Sequence, residues 1–163
     1  MSRSGLYEDD GDDPLAFGRW RAQVKSATRG KRGQAFLRDL LAALDSMPSK
    51  RLIAGNLEFD GRPEFPYPNP WEDIIVGGDE LVTGRGEVVH VGEVCALGAL
   101  GQARGLDMTK LSVDDPEFIA DAFGVAHQLA REIIWVNDDD CKGASPEERF
   151  ASVRAWVARQ IRE

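Results

Sequence analysis

Apolar residues recur at steps of three and four along five stretches of the chain, the spacing that lines one face of a helix. Phe17, Trp20, Val24 and Ala27 mark the first, with Asp13 placed to cap it and Pro14 at its first helical position. After Gly30 and Gly33, the stretch 34–47 gathers Phe36, Leu37, Leu40, Leu41 and Leu44 on one side, and Pro48 stops it. Val94, Leu97 and Leu100 define a third helix ending at Gly105, where Gly98 and Gly101 predict the close approach of a neighbouring helix. Asp115 and Pro116 open a fourth, whose broad face from Phe118 to Ile134 predicts a central core helix. Ser145, Pro146 and Glu148 form a capping box ahead of Phe150, Val153, Trp156, Val157 and Ile161.

Residues 60–92 break this period. A proline-rich run, Arg62 to Trp71, leads into short β-branched runs separated by GGDE and GRG, the punctuation of a small β-hairpin. The expected architecture is mainly α, about five helices with a small β-hairpin insertion, in a single compact α+β domain. Residues 14–163 make up that domain, 60–92 are the Pro/Gly-rich insertion, and the acidic residues 1–13 have too little apolar surface to order.

Charge sharpens the picture. The 163 residues carry a net charge of −8, but residues 1–13 hold −4, residues 14–38 hold +7 with no acid, and the other 125 hold −11. The basic stripe, with Arg29, Lys31 and Arg32 at its centre, would suit nucleic acid phosphates or an acidic partner, or would pair with the acidic remainder of the chain. Two cysteines, Cys95 and Cys141, without a CxxC pair or a histidine cluster, give neither a disulfide framework nor a zinc site. The acidic start lacks the basic and apolar regions of a signal peptide, and no apolar run approaches the ~18 residues of a membrane span. These features place the chain in the cytoplasm, away from membranes.

Of the local motifs, IADAFGVAHQLAREI (Ile119 to Ile133) resembles a helix-turn-helix, with Gly124 at the turn and His127, Gln128 and Arg131 placed to face base edges. Ala130 falls where that motif buries a branched residue, and Asp138, Asp139 and Asp140 follow where phosphates would lie. One continuous amphipathic helix is the favoured reading. Gly77 to Glu80 resembles the turn of the diguanylate cyclase signature but lacks its βαββ frame, and the loop from Asp138 puts Lys142 and Arg149 where a calcium loop needs ligands. His90 and His127, the two histidines, have no nucleophile setting around them, so no catalytic, cofactor or metal residue is assigned. Trp20, Trp135 and Trp156 lie on helical stripes and read as core, whereas Trp71, with Phe65 and Tyr67, is the aromatic candidate for a partner contact.

Four segments, Trp20 to Ala54, Glu93 to Met108, Phe123 to Asp138 and Ser145 to Ile161, together resemble a family of small uncharacterised proteins encoded by temperate phages and prophages of Proteobacteria. The departure is the stretch from about Asp60 to Gly92, shorter in typical members. The resemblance implies a setting, the bacterial host cell, rather than an activity: a noncatalytic accessory protein that binds a host or phage protein, with inhibition of a defence system such as CRISPR as its narrower form and a homo-oligomer among its states. A helix-turn-helix DNA-binding regulator is the alternative, with nucleic acid the less favoured partner, and a small enzyme is third.

Overall fold

In a computed structural model of the chain, the described residues are 15–61, 73–76, 80–83, 88–141 and 143–163. Among them are six α-helices, so the chain is mainly helical. α1 (Ala16–Arg29) and α2 (Lys31–Ser46) meet at one extended residue, Gly30, in a corner so close that a Cβ on Gly33 would lie 1.9 Å from the Ala27 carbonyl oxygen. The expected cap and first position of α1, Asp13 and Pro14, lie outside the described residues. α2 is the hub. Its buried face (Phe36, Leu37, Leu40, Leu44) packs against α3 (Ala96–Arg104) and α6 (Pro146–Gln160), while its start contacts α1.

Helix ends follow the sequence signals closely. Gly105 closes α3 in the left-handed region at φ 68°, with the Leu106 N–H donating to the Gly101 carbonyl. The Asp115 carboxylate accepts from the Phe118 N–H, and Ser145 and Glu148 complete the reciprocal capping box of α6. The third helix starts later than expected, because Cys95 is its cap: the thiol sulfur accepts from the Gly98 N–H at 3.4 Å. Burial, helped by the nearby Asp138 charge, pushes that thiol up to about 12, so it stays protonated.

The expected continuous central helix is two helices. α4 (Pro116–Phe123) ends at Gly124, φ 67°, and α5 (His127–Trp135) begins three residues later. Gly124 and Val125 donate to Asp121 and Ala120, satisfying the last carbonyls of α4, so the glycine is a stop and not a tolerated interior residue. Phe118, expected on the core face, is 52 % exposed. Beyond α5 the chain widens into a π-helical turn, Val136–Asp140, which ends at the loop before α6.

Three short strands, β1 (Asp73–Val76), β2 (Glu80–Thr83) and β3 (Val88–His90), pair antiparallel in that order. The turn residues of the expected hairpin, 77–79 and 84–87, lie outside the described residues, as do Phe65, Tyr67 and Trp71. Val89 joins Ile53 and Phe59 in a small satellite core. Arg51 ties this region to the helices, with Nε donating to Glu93 at 2.6 Å, Nη2 to the Val88 carbonyl at 2.7 Å, and Nη1 to Glu147.

A buried polar staple joins the loop 52–57 to the rest. Asn137, 2 % exposed, accepts from the Ala96 N–H and donates to the Ile53 carbonyl, while Arg149, 5 % exposed, donates to the carbonyls of Asn137, Leu52 and Ala144. Asp138 sits beside it, and burial pushes its carboxyl above the usual aspartate range despite hydrogen bonds from Asn137 and the Gly55 backbone. The folded state therefore holds that proton more tightly than the unfolded chain. The group's stabilising contribution is present below pH ~4 and is lost as pH rises through the raised value. Asp138→Asn, which keeps the acceptor and removes the charge, should raise the melting temperature at pH 7, and the gap from the parent should close towards pH 4. A variant that melts lower than the parent at pH 7 would contradict this account.

Among the described residues no helix is long and apolar enough to cross a membrane.

Candidate functional site

The basic stripe has a structural counterpart in a cleft of about 730 Å³ between α1 and the end of α6. Arg21, Lys25 and Arg29 fall four residues apart on α1 and so share one face, and Arg159 and Arg162 approach from the other side. Such a row does not help α1 to fold. Like charges four apart on a helix repel by about 0.2–0.5 kcal/mol per pair, and α1 contains no acid to offset them. Among the described residues none of these five side chains is ion-paired, although the chain as a whole is acidic.

The cleft is more than a charged surface. Trp20, 7 % exposed, and the half-buried Trp156 line it, and the buried carboxylate of Glu132 reaches it from α5. Its two walls are joined at one end by Gln34, a buried amide near the start of α2. The Gln34 amide nitrogen donates to the carbonyls of Thr28 (2.8 Å) and Gln160 (2.9 Å), and its oxygen accepts from the Arg162 N–H (2.7 Å). Arg38 adds a bond to the Arg162 carbonyl at 2.7 Å. The ends of α1 and α6 are thus fixed to the same side chain, which sets the separation of the two cationic walls.

The other residues singled out from the sequence are distributed as follows. Arg29 lines the cleft; Lys31 and Arg32 are exposed in the first turn of α2, outside the lining, at the helix end where cations are least favoured. His127 and Gln128 are turned towards α1: the His127 ring lies 6.4 Å from that of Trp20, and Gln128 donates to Gln23 at 3.4 Å. Arg131 is half-buried, and no residue of α5 is exposed. Among the described residues no group of three or more His, Cys, Asp or Glu side chains could hold a metal ion. Of the cleft's components, the stripe on α1 was visible in the sequence. Glu132, Trp156, Arg159 and Arg162 were missed, since each lies on an ordinary helical pattern and joins the stripe only through long-range packing.

Compared with known proteins, the chain matches no family model, no curated protein and no solved structure.

Proposed function

We propose that this is a noncatalytic binding protein whose α1–α6 cleft receives an anionic group presented by its partner. The observation that carries the reading is the convergence of five cations without ion-pair partners among the described residues, on a chain of net charge −8. Gathering like charges in one place costs stability, so the arrangement is better explained by what it binds than by what it holds together. With the phage and prophage resemblance, the partner is a host or phage component, and inhibition of a defence system such as CRISPR is the narrower form. On this reading the insertion serves a separate purpose, and none of the described residues among 60–92 lines the cleft.

The DNA-binding alternative gains one feature and loses another. The break at Gly124 gives two helices with a short turn between them, but α1 covers the start of the helix that would have to enter a groove. A long polyanion would also meet the acidic remainder of the surface.

The test uses inorganic tripolyphosphate as a probe of charge alone, titrated calorimetrically into the whole protein at low salt. The parent should bind it, and the double variant Lys25→Glu/Arg29→Glu should lose at least about ten-fold in affinity, since at low salt two attractions become two repulsions, and ten-fold is about 1.4 kcal/mol. Both residues are exposed and the exchange relieves like-charge repulsion along α1, so the variant should melt no lower than the parent. Equal affinity in the two proteins would remove the cleft as the binding site.

A further inference from the structure

The cationic cleft has a counterpart in the chain's own sequence. Directly ahead of α1, residues 8–13 read EDDGDD, five carboxylates in six positions, and the cations of the cleft match them in number. The spacing matches as well. Arg21, Lys25 and Arg29 are four residues apart, about 6 Å along the axis at 1.5 Å per residue. In an extended chain alternate residues share a side and lie about 6.6 Å apart. Glu8, Asp10 and Asp12 would therefore present three carboxylates at nearly the same repeat. Asp9 would point the other way, towards the wall of Arg159 and Arg162.

We propose that the first occupant of the cleft is this chain's own acidic segment, Glu8 to Asp13, laid back along α1, and that a partner's anionic group binds by displacing it. Asp13 and Pro14 suit the first two positions of a type I turn, which reverses the chain ahead of α1. Asp12 then meets Arg21, Asp10 meets Lys25 and Glu8 meets Arg29. The length suffices: from Ala16 back to Glu8 is eight residues, about 26 Å when extended, whereas Arg29 lies thirteen residues along the helix, about 20 Å. Charge elsewhere steers the segment the same way, since residues 39–163 sum to −11 and repel it. Glu132, the acid in the lining, is 6 % exposed and already partnered, so the five exposed cations set the field at the opening. The tether makes even a weak contact effective, because a short linker holds its segment at an effective concentration of about a millimolar. This inference rests on the reading of the cleft as an anion site and adds that the site is regulated by competition within the chain.

The experiment titrates inorganic tripolyphosphate into the whole protein at low salt and compares the parent with two triple variants of equal net charge. Glu8→Gln/Asp10→Asn/Asp12→Asn uncovers the cleft and should bind about three- to ten-fold more tightly than the parent. Asp114→Asn/Glu117→Gln/Asp121→Asn removes three exposed acids at α4, outside the cleft lining, and should stay within about two-fold of the parent. A zero-length carbodiimide gives a second reading. Lys25 is the one lysine among the described lining residues, and in the parent it should be joined to a carboxylate of residues 8–13, located by mass spectrometry. Melting curves identify any variant that fails to fold, and the cross-link on the parent needs no variant. If the N-terminal variant binds no more tightly than the α4 variant, or residues 8–13 are not joined to Lys25, self-occupancy is overturned while the anion cleft stands. If none of the three proteins binds tripolyphosphate, the anion cleft falls and self-occupancy with it.

Discussion

Arg149→Met should lower the free energy of unfolding by about 3–5 kcal/mol, a large part of the 5–15 kcal/mol that holds a typical domain together. The guanidinium is 5 % exposed and donates to three backbone carbonyls, those of Asn137 at 3.1 Å, Leu52 at 3.1 Å and Ala144 at 3.2 Å. Methionine fills much of the same volume but leaves the three acceptors without their donor in a region with little water, each at a cost of about 1–3 kcal/mol before relaxation. The variant also strips the nearby Asp138 carboxylate of its favourable cation, deepening an existing desolvation penalty. Arg149→Lys should recover little, since an ammonium group is a point donor and cannot span three acceptors fixed by a planar fork. Urea unfolding at pH 7 measures all three proteins. A loss below about 1 kcal/mol for the methionine variant would mean that the loop can rearrange or hydrate, against the structural role assigned here.

The second large effect is expected at Gly98→Ala. Alanine is the better helix former by about 1 kcal/mol, and composition alone would therefore predict a gain. The added Cβ, however, would stand 1.9 Å from the Leu57 carbonyl oxygen, 2.8 Å from its carbon and 2.9 Å from the Val94 Cβ. The first two are backbone atoms, and that carbonyl accepts from the Cys95 N–H at 3.1 Å, so it cannot withdraw without loosening the segment that the loop and α3 share. A net loss of about 3 kcal/mol is expected, at the upper end of what overpacking usually costs. Gly18→Ala is the internal control: nothing lies within 4 Å of the new methyl, and this variant should gain up to about 1 kcal/mol. Thermal melts of the two variants should move in opposite directions, and a Gly98→Ala protein as stable as the parent would show that α3 and the loop are not pressed together.

The helical plan was legible in the sequence because its signals are local. Caps such as Asp115 and Ser145, the stop at Gly105 and the apolar stripe of α2 depend on residues within a turn or two of one another. Gly98 and Gly101 also announced close packing: Gly98 meets the Leu57 backbone of the loop, and Gly101 meets Met108 and Phe123, the last residue of α4. The break at Gly124 was misread because Phe123 and Val125, buried on either side of it, fit a continuous apolar stripe as well as they fit a turn. Periodicity cannot distinguish those cases; the left-handed φ of the glycine does. The cleft was legible only by half. Charges four residues apart on α1 show in one dimension, but Gln34 bonds to Gln160 across 126 positions, and no pattern within a helix encodes that partnership.

The Gln34 bridge also bears on when the protein can act during its synthesis. The ribosome delivers α1 and the amide of Gln34 early, while Gln160 and the Arg162 N–H that complete the bridge emerge more than a hundred residues later. Helices α1 and α2 can pair as soon as they are made, but one cationic wall then stands alone, without Trp156, Arg159 or Arg162. Loop closure over such a separation comes late in folding. A nascent or prematurely stopped chain would therefore expose the basic helix α1 without its facing wall, and the cleft would be complete only once residues 156–162 have left the ribosome and folded back.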